Sequence, residues 1–196
     1  MRRLLPLLVM PFCFVPFAQA QALPQSPGAA IPRYSFAVGY NNIRANAPPS
    51  NCGCFDMNGG FVSGSYTLTR WFGAGAEFTG GHANNIGPLG QDLTLTTFTA
   101  GPEIFYRHNR FTPHAELMLG IAHGSDSYFP QKDTFSTSAT SFAISTGGGL
   151  DYRLNRRFTV RPIELQYLHT GFPNGGSNQQ SQLMWRAGVV LTFQHH

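Results

Sequence analysis

From Tyr34 onward, apolar and polar residues alternate with a period of two, in runs separated by Gly-, Asn- and Pro-rich stretches. A period of two places successive side chains on opposite faces of a strand, so each run predicts a strand whose faces meet different surroundings. The last run sets Leu183, Trp185, Ala187, Val189, Leu191 and Phe193 against Gln182, Met184, Arg186, Gly188, Val190 and Thr192. An earlier one sets Phe111, Ala115, Leu117, Leu119 and Ile121 against Thr112, His114, Glu116, Met118 and Gly120. The alternation predicts eight strands, over 34–43, 60–70, 72–83, 93–107, 111–123, 139–153, 157–169 and 181–193. The seventh keeps its parity only with an extra residue near Pro162, a bulge that puts Arg161 and Glu164 on the same face.

The connections alternate in length. Short turns are expected at Trp71, His108–Arg110 and Asn155–Arg156, and long loops at 44–59, 84–92, 124–138 and 170–180. The fold class that follows is all-β: an eight-stranded antiparallel up-and-down transmembrane β-barrel with short periplasmic turns and four longer outer loops. Alternation alone leaves open a soluble barrel with the opposite sense, apolar inside. Three features favour the membrane sense. Lysine, the usual residue of an exposed strand edge, occurs once, at Lys132. The polar face consists of Gly, Ser, Thr and a few charges. Aromatics gather at the strand ends, with Tyr34, Trp71, Phe111 and Phe158 on the short-turn side and Tyr40, Phe78, Tyr167 and Trp185 on the other. Two such belts match the interfacial girdles of a membrane barrel.

Composition adds a compartment. Arg2 and Arg3, the apolar stretch Leu4–Phe17 and Ala18-Gln19-Ala20 read as a removable export signal over residues 1–20, with cleavage after Ala22 the alternative. A Pro-rich lead follows over 21–33, then one barrel domain over 34–193. Losing Arg2 and Arg3 lowers the formal net charge from +4 to +2. The arginines are dispersed along the sequence, so no nucleic-acid partner is expected.

With signal, strand count, loop alternation and the C-terminal strand LMWRAGVVLTF in hand, residues 34–193 resemble the small eight-stranded bacterial outer-membrane barrels typified by the transmembrane domain of outer membrane protein A. The resemblance implies residence in the outer membrane, with outer-membrane lipid and lipopolysaccharide as surroundings. It also implies the barrel assembly machinery as a partner in biogenesis and an extracellular ligand at the loops. Phe193 is followed by Gln194-His195-His196, whereas the family's last strand ends on its aromatic.

The candidate chemistry lies mostly on the inward face. Glu77, Glu103, Glu116, Asp151 and Glu164 oppose Arg107, Arg153, Arg161 and Arg186, with His114 a further cation. With a tight turn at 108–110, Glu103 is expected across from His114 with Glu116 diagonal, and Glu164 level with Arg186. Eight strands leave just enough width for side chains, so these charges are expected to plug the lumen as an ion-pair network. The principal alternative is a narrow pore for small solutes. Cys52 and Cys54, exported to an oxidising compartment, are expected to form a loop disulfide. His123 and Ser125 resemble the His-x-Ser pair of the lipid A deacylase family, which implies His123 as base and Ser125 as nucleophile in a third reading. Phe55, Phe129 and Phe172 are expected to present apolar contact points in the outer loops. No cofactor or metal is expected, and no intrinsic chemistry.

Overall fold

The computed structural model describes residues 33–46, 54–86, 90–130, 135–173 and 178–193. The expected export signal, the lead as far as residue 32, and Cys52, the expected disulfide partner of Cys54, lie outside the described residues. Eight strands follow one another: β1 (Tyr34–Asn46), β2 (Cys54–Thr67), β3 (Phe72–Ile86), β4 (Gln91–Phe105), β5 (Phe111–Pro130), β6 (Phe135–Arg153), β7 (Phe158–Thr170) and β8 (Gln180–Phe193). Each pairs antiparallel with its neighbours and β1 closes on β8, giving a barrel in simple chain order. Closure satisfies every strand edge, the condition for crossing a bilayer with strands.

The direction of the faces is plain. Val38, Val62, Phe98, Leu119, Leu165 and Leu183 are exposed on the outer wall, while Asn41, Glu77, Thr79, Gln166 and Arg186 are buried inside. The belts are built of paired rings, with Trp71 beside Tyr106 at 5.6 Å and Phe111 beside Tyr152 at 5.0 Å at the short-turn end. Tyr40 and Trp185, 5.4 Å apart, belong to the outer belt.

Three local features differ from, or add to, the sequence reading. The β4–β5 turn is centred on Asn109-Arg110, because Asn109 adopts φ 52° and His108 exchanges both backbone hydrogen bonds with Phe111. The register therefore moves by two, so Glu103 faces Glu116 and His114 faces Phe105. The bulge in β7 falls at Arg161–Glu164, where the ladders to both β6 and β8 shift. Pro162 and Ile163 both face outward there, and Arg161 and Glu164 both face inward.

The strands also run further at the outer end than the alternation suggests. β2 starts at Cys54 rather than at 60, β5 continues to Pro130, and β6 begins at Phe135. The reason is an inversion of polarity just above the outer aromatic belt. There Ile43, Met57, Ala83, Leu95, Ala122 and Leu168 point inward and are buried. Their neighbours Arg44, Asn58, His82, Thr140 and His169 point outward, all of them exposed except the half-buried His169. A wall with apolar residues inside and polar ones outside is the sense suited to water. The outer ends of the strands thus form an aqueous extension of the same barrel. They read as loops in the sequence because no apolar residue marks their outward face.

Candidate functional site: a lumen in two layers

The lower layer is ionic. Arg186 on β8 is fully buried. Its two terminal nitrogens donate to both carboxylate oxygens of Glu77. Nη1 also reaches Glu164 Oε1 at 3.1 Å and Nη2 reaches Thr79 Oγ1 at 2.9 Å. The guanidinium lies over the ring of Phe61, 4.8 Å from its centroid. Arg161 grips Asp151 with two donors, at 2.7 and 3.1 Å, and gives a third to Glu164 Oε2 at 2.6 Å. Glu164 is therefore shared by both arginines, and the β7 bulge is what turns Arg161 and Glu164 to the same side. Gln166 donates to Glu164 Oε1 at 2.7 Å and to Glu116, and accepts from Ser145 at 2.9 Å. Buried charge is tolerated where it is paired and its remaining lone pairs are filled, and Glu164 meets that condition.

Other inward residues stand differently. His114 sits 3.9 Å from Asp151 and 3.8 Å from Glu164 without a hydrogen bond to either. Glu103 accepts from Ser65 at 2.9 Å through one oxygen, while the other has no partner. Among the described residues, Glu103 and Glu116 have no guanidinium within ion-pair distance. Arg107 and Arg153 are not in the ionic layer. Arg107 donates to the Arg70 carbonyl and to Thr67, and Arg153 donates to the Asn109 carbonyl at 2.7 Å. Both stand at the mouth of the barrel, and Asp151, the nearest acid in height, is already doubly engaged by Arg161. One oxygen from each of Glu77, Glu116 and Glu164 lies within 4.8 Å of the others. Arg186 binds two of these three carboxylates, so a guanidinium already answers the charge to which a metal ion would respond. Space in this layer is tight: a Cβ on Gly149 would come 2.9 Å from the His114 ring.

The upper layer is apolar. Ile43, Met57, Leu95, Leu168 and Met184 close the lumen beneath the outer mouth, with Phe129 and Phe172 packed on each other at 5.5 Å. Phe129 and Phe172 are thus buried in a plug and do not serve as exposed contact points, and Phe55 is half-buried against the same cluster. Hydrophobic burial explains the change of place, since inward positions above the membrane have no lipid to face.

On the outer wall, His123 Nδ1 contacts Thr140 Oγ1 at 2.8 Å, and Ser125 donates to Asp126 at 3.1 Å. No hydrogen bond joins His123 to Ser125. Thr94 also donates to Asp126, at 2.8 Å, and touches His82 Nδ1 at 2.8 Å. These two hydroxyl donors hold the exposed Asp126 carboxyl below the usual aspartate range.

Apolar strands outside, a charged lumen, paired aromatic belts and short turns at one end define a transmembrane barrel of the bacterial outer membrane. Residues 5–193 match the family of outer membrane protein beta-barrel domains, and the chain belongs to that family. Its place is accordingly the bacterial outer membrane. Among solved structures it is similar to Neisserial surface protein A, at 19% identity, with 81% of this chain and 97% of that chain covered and a TM-score of 0.60. It is likewise similar to Ail, the attachment invasion locus protein of Yersinia pestis, at 18% identity, 82% and 97% coverage and a TM-score of 0.57. OprG from Pseudomonas aeruginosa shares 11% identity, with 86% of this chain and 99% of that chain covered and a TM-score of 0.51. At these identities the likeness is one of fold. No curated protein matches the chain in sequence.

The sequence reading missed the apolar plug. Its signal was present in Ile43 and Leu168, apolar residues whose parity already put them on the inward face of their strands.

Proposed function

We propose that the protein is a closed outer-membrane barrel whose role is structural and presentational, carrying its hairpins out of the membrane as a surface for contact. The observation that carries this reading is the polarity inversion: the hairpins continue above the outer belt as a water-facing wall sealed from within by apolar side chains. The ionic layer below is a second seal. A planar bilayer experiment tests it. The refolded protein is expected to give no stable conductance steps, whereas steady single-channel steps would replace this reading with a narrow pore. The pore reading draws its support from Glu103 and Glu116, lumen acids without an arginine.

The surface ligand is constrained by charge. Ail has been crystallised in complex with the heparin analogue sucrose octasulfate. In this chain the described outer end offers Arg44, tied to Asp56 at 2.7 Å, together with Asp92 and Asp126. That balance favours a ligand other than a polyanion. Assembly through the barrel assembly machinery and contact with lipopolysaccharide belong to the same proposal. So does the absence of intrinsic chemistry, supported by the separate partners of His123 and Ser125. Lipid A from cells expressing the protein is expected to keep its acyl chains, and a mass loss that disappears in Ser125→Ala would overturn this.

A further inference from the structure

Five arginines that are scattered through the sequence gather at one end of the fold. Arg33 precedes β1, Arg70 lies in the β2–β3 turn, Arg110 in the β4–β5 turn, and Arg156 and Arg157 in the β6–β7 turn; all five are exposed. None has a carboxylate within ion-pair distance among the described residues. Among the described residues the acids nearest that end, Asp151, Glu103 and its cross-strand partner Glu116, are buried and turned into the lumen. The described acids outside the lumen, Asp56, Asp92 and Asp126, all lie at the opposite end.

A repeated dipeptide underlies the cluster. Arg33-Tyr34, Arg70-Trp71, Arg110-Phe111 and Arg157-Phe158 each stand at the start of an ascending strand: β1, β3, β5 and β7. The ring of each pair is an exposed member of the short-turn aromatic belt, which sits at headgroup level. The arginine precedes it by one residue, on the side away from the lipid-facing wall; the guanidinium of Arg70 lies 5.4 Å from the Trp71 ring centroid. A planar guanidinium pairs with phosphate through two parallel donors, and basic residues just outside the hydrocarbon attract anionic lipid.

We propose that this arginine rim binds the headgroups of anionic phospholipids in the periplasmic leaflet of the outer membrane. The rim concentrates these lipids around the short-turn end and fixes the depth of the barrel. An acidic cell-wall polymer would meet the same charges from the water side. The lipid is favoured because four of the five arginines directly precede a ring that faces the bilayer, and that of Arg70 lies over its ring.

The two tryptophans permit a direct test, one in each belt. The full chain is refolded into phosphatidylcholine vesicles doped with brominated phosphatidylglycerol or, at the same mole fraction, brominated phosphatidylcholine. Trp185→Phe leaves Trp71 to report the arginine end, and Trp71→Phe leaves Trp185 to report the other. Quenching of Trp71 by the brominated anionic lipid is expected to exceed that by the zwitterionic one by about twofold or more. Trp185 is expected to show no such preference. The excess should vanish in 1 M salt, where the screening length falls to about 3 Å. It should also vanish when Arg33, Arg70, Arg110 and Arg157 are changed to Gln. Should that variant fail to show the gel mobility of a folded barrel, the salt comparison on the arginine-bearing protein decides. Equal quenching of Trp71 by the two lipids overturns the proposal, as does an excess that survives both salt and the folded Gln variant. Arginine-dependent binding of purified peptidoglycan without any lipid preference assigns the rim to the wall polymer instead, and likewise overturns it.

Discussion

The membrane-embedded part of this barrel and its outer extension use the same strands with opposite chemistry. Between the belts, Leu117, Leu119 and Leu165 face lipid while Glu77, Glu164 and Arg186 fill the lumen. Above the outer belt, Leu95 and Leu168 fill the lumen while Thr140 and His82 face water. The backbone ladder runs through the boundary without a break in β1 and β2, where pairing continues from Tyr34 with Tyr66 to Asn46 with Cys54. The comparison teaches that hydrogen bonding makes the wall, and that side-chain sense is set independently by whatever lies outside it. The boundary itself marks the outer limit of the hydrocarbon more sharply than the strand ends do.

The largest expected effect lies in the lower layer. Arg186→Ala leaves Glu77 and half of Glu164 uncompensated, and its cost is expected to be about 3–5 kcal/mol. Urea unfolding in lipid vesicles, followed by gel mobility, measures it; an effect no greater than that of an outer-loop substitution would break the ionic-layer account. Next comes the wall. Leu117→Arg, near the middle of the lipid-facing wall, should cost about 2–4 kcal/mol, while Thr140→Arg above the belt should cost about 0–1 kcal/mol. Equal costs at the two positions would erase the boundary. Third is the upper plug, where Leu168→Ala removes a fully buried side chain and should destabilise by about 2–3 kcal/mol. A negligible change in the same unfolding assay would mean that the upper lumen is not tightly packed.

The smallest effect is a titration. Asp126 is held below the usual aspartate range by donors from Thr94 and Ser125. Its folded value lies below its unfolded one, so the small stabilisation it gives is present above the unfolded value and is lost as pH falls through the folded value. Thr94→Val should raise the Asp126 midpoint, read from its side-chain carboxyl resonance, and an unchanged midpoint would remove Thr94 as a cause.

Much of the fold was legible in the sequence because, between the belts, lipid enforces strict alternation. Leu183, Trp185 and Leu191 against Gln182, Arg186 and Thr192 mark the eighth strand without ambiguity. Legibility failed where the outside changed. Asp56 and Asn58, or Ser138 and Thr140, carry no apolar mark on their outward face, so β2 and β6 were expected to start later than they do. For the lumen, parity put Arg161, Glu164 and Arg186 on the inward face but said nothing of which partners were already engaged. Arg107 and Arg153 share that parity and yet end on turn carbonyls. Register across a turn was equally opaque, since it depended on Asn109 accepting a left-handed backbone.

The bulge in β7 has a further consequence for how the chain can change length. Arg161 pairs with Gly188 and Glu164 with Arg186, so three steps on one strand match two on the other. Removing Ile163 would make the count two against two, with Arg161 and Glu164 still on the inward side. The same holds against β6, where Val160 and Ile163 pair with Tyr152 and Leu150. Deletions of one residue elsewhere in a strand turn all that follows inside out. This site is instead a point of slack, where the genetic text can lose a codon and the barrel can keep its two faces.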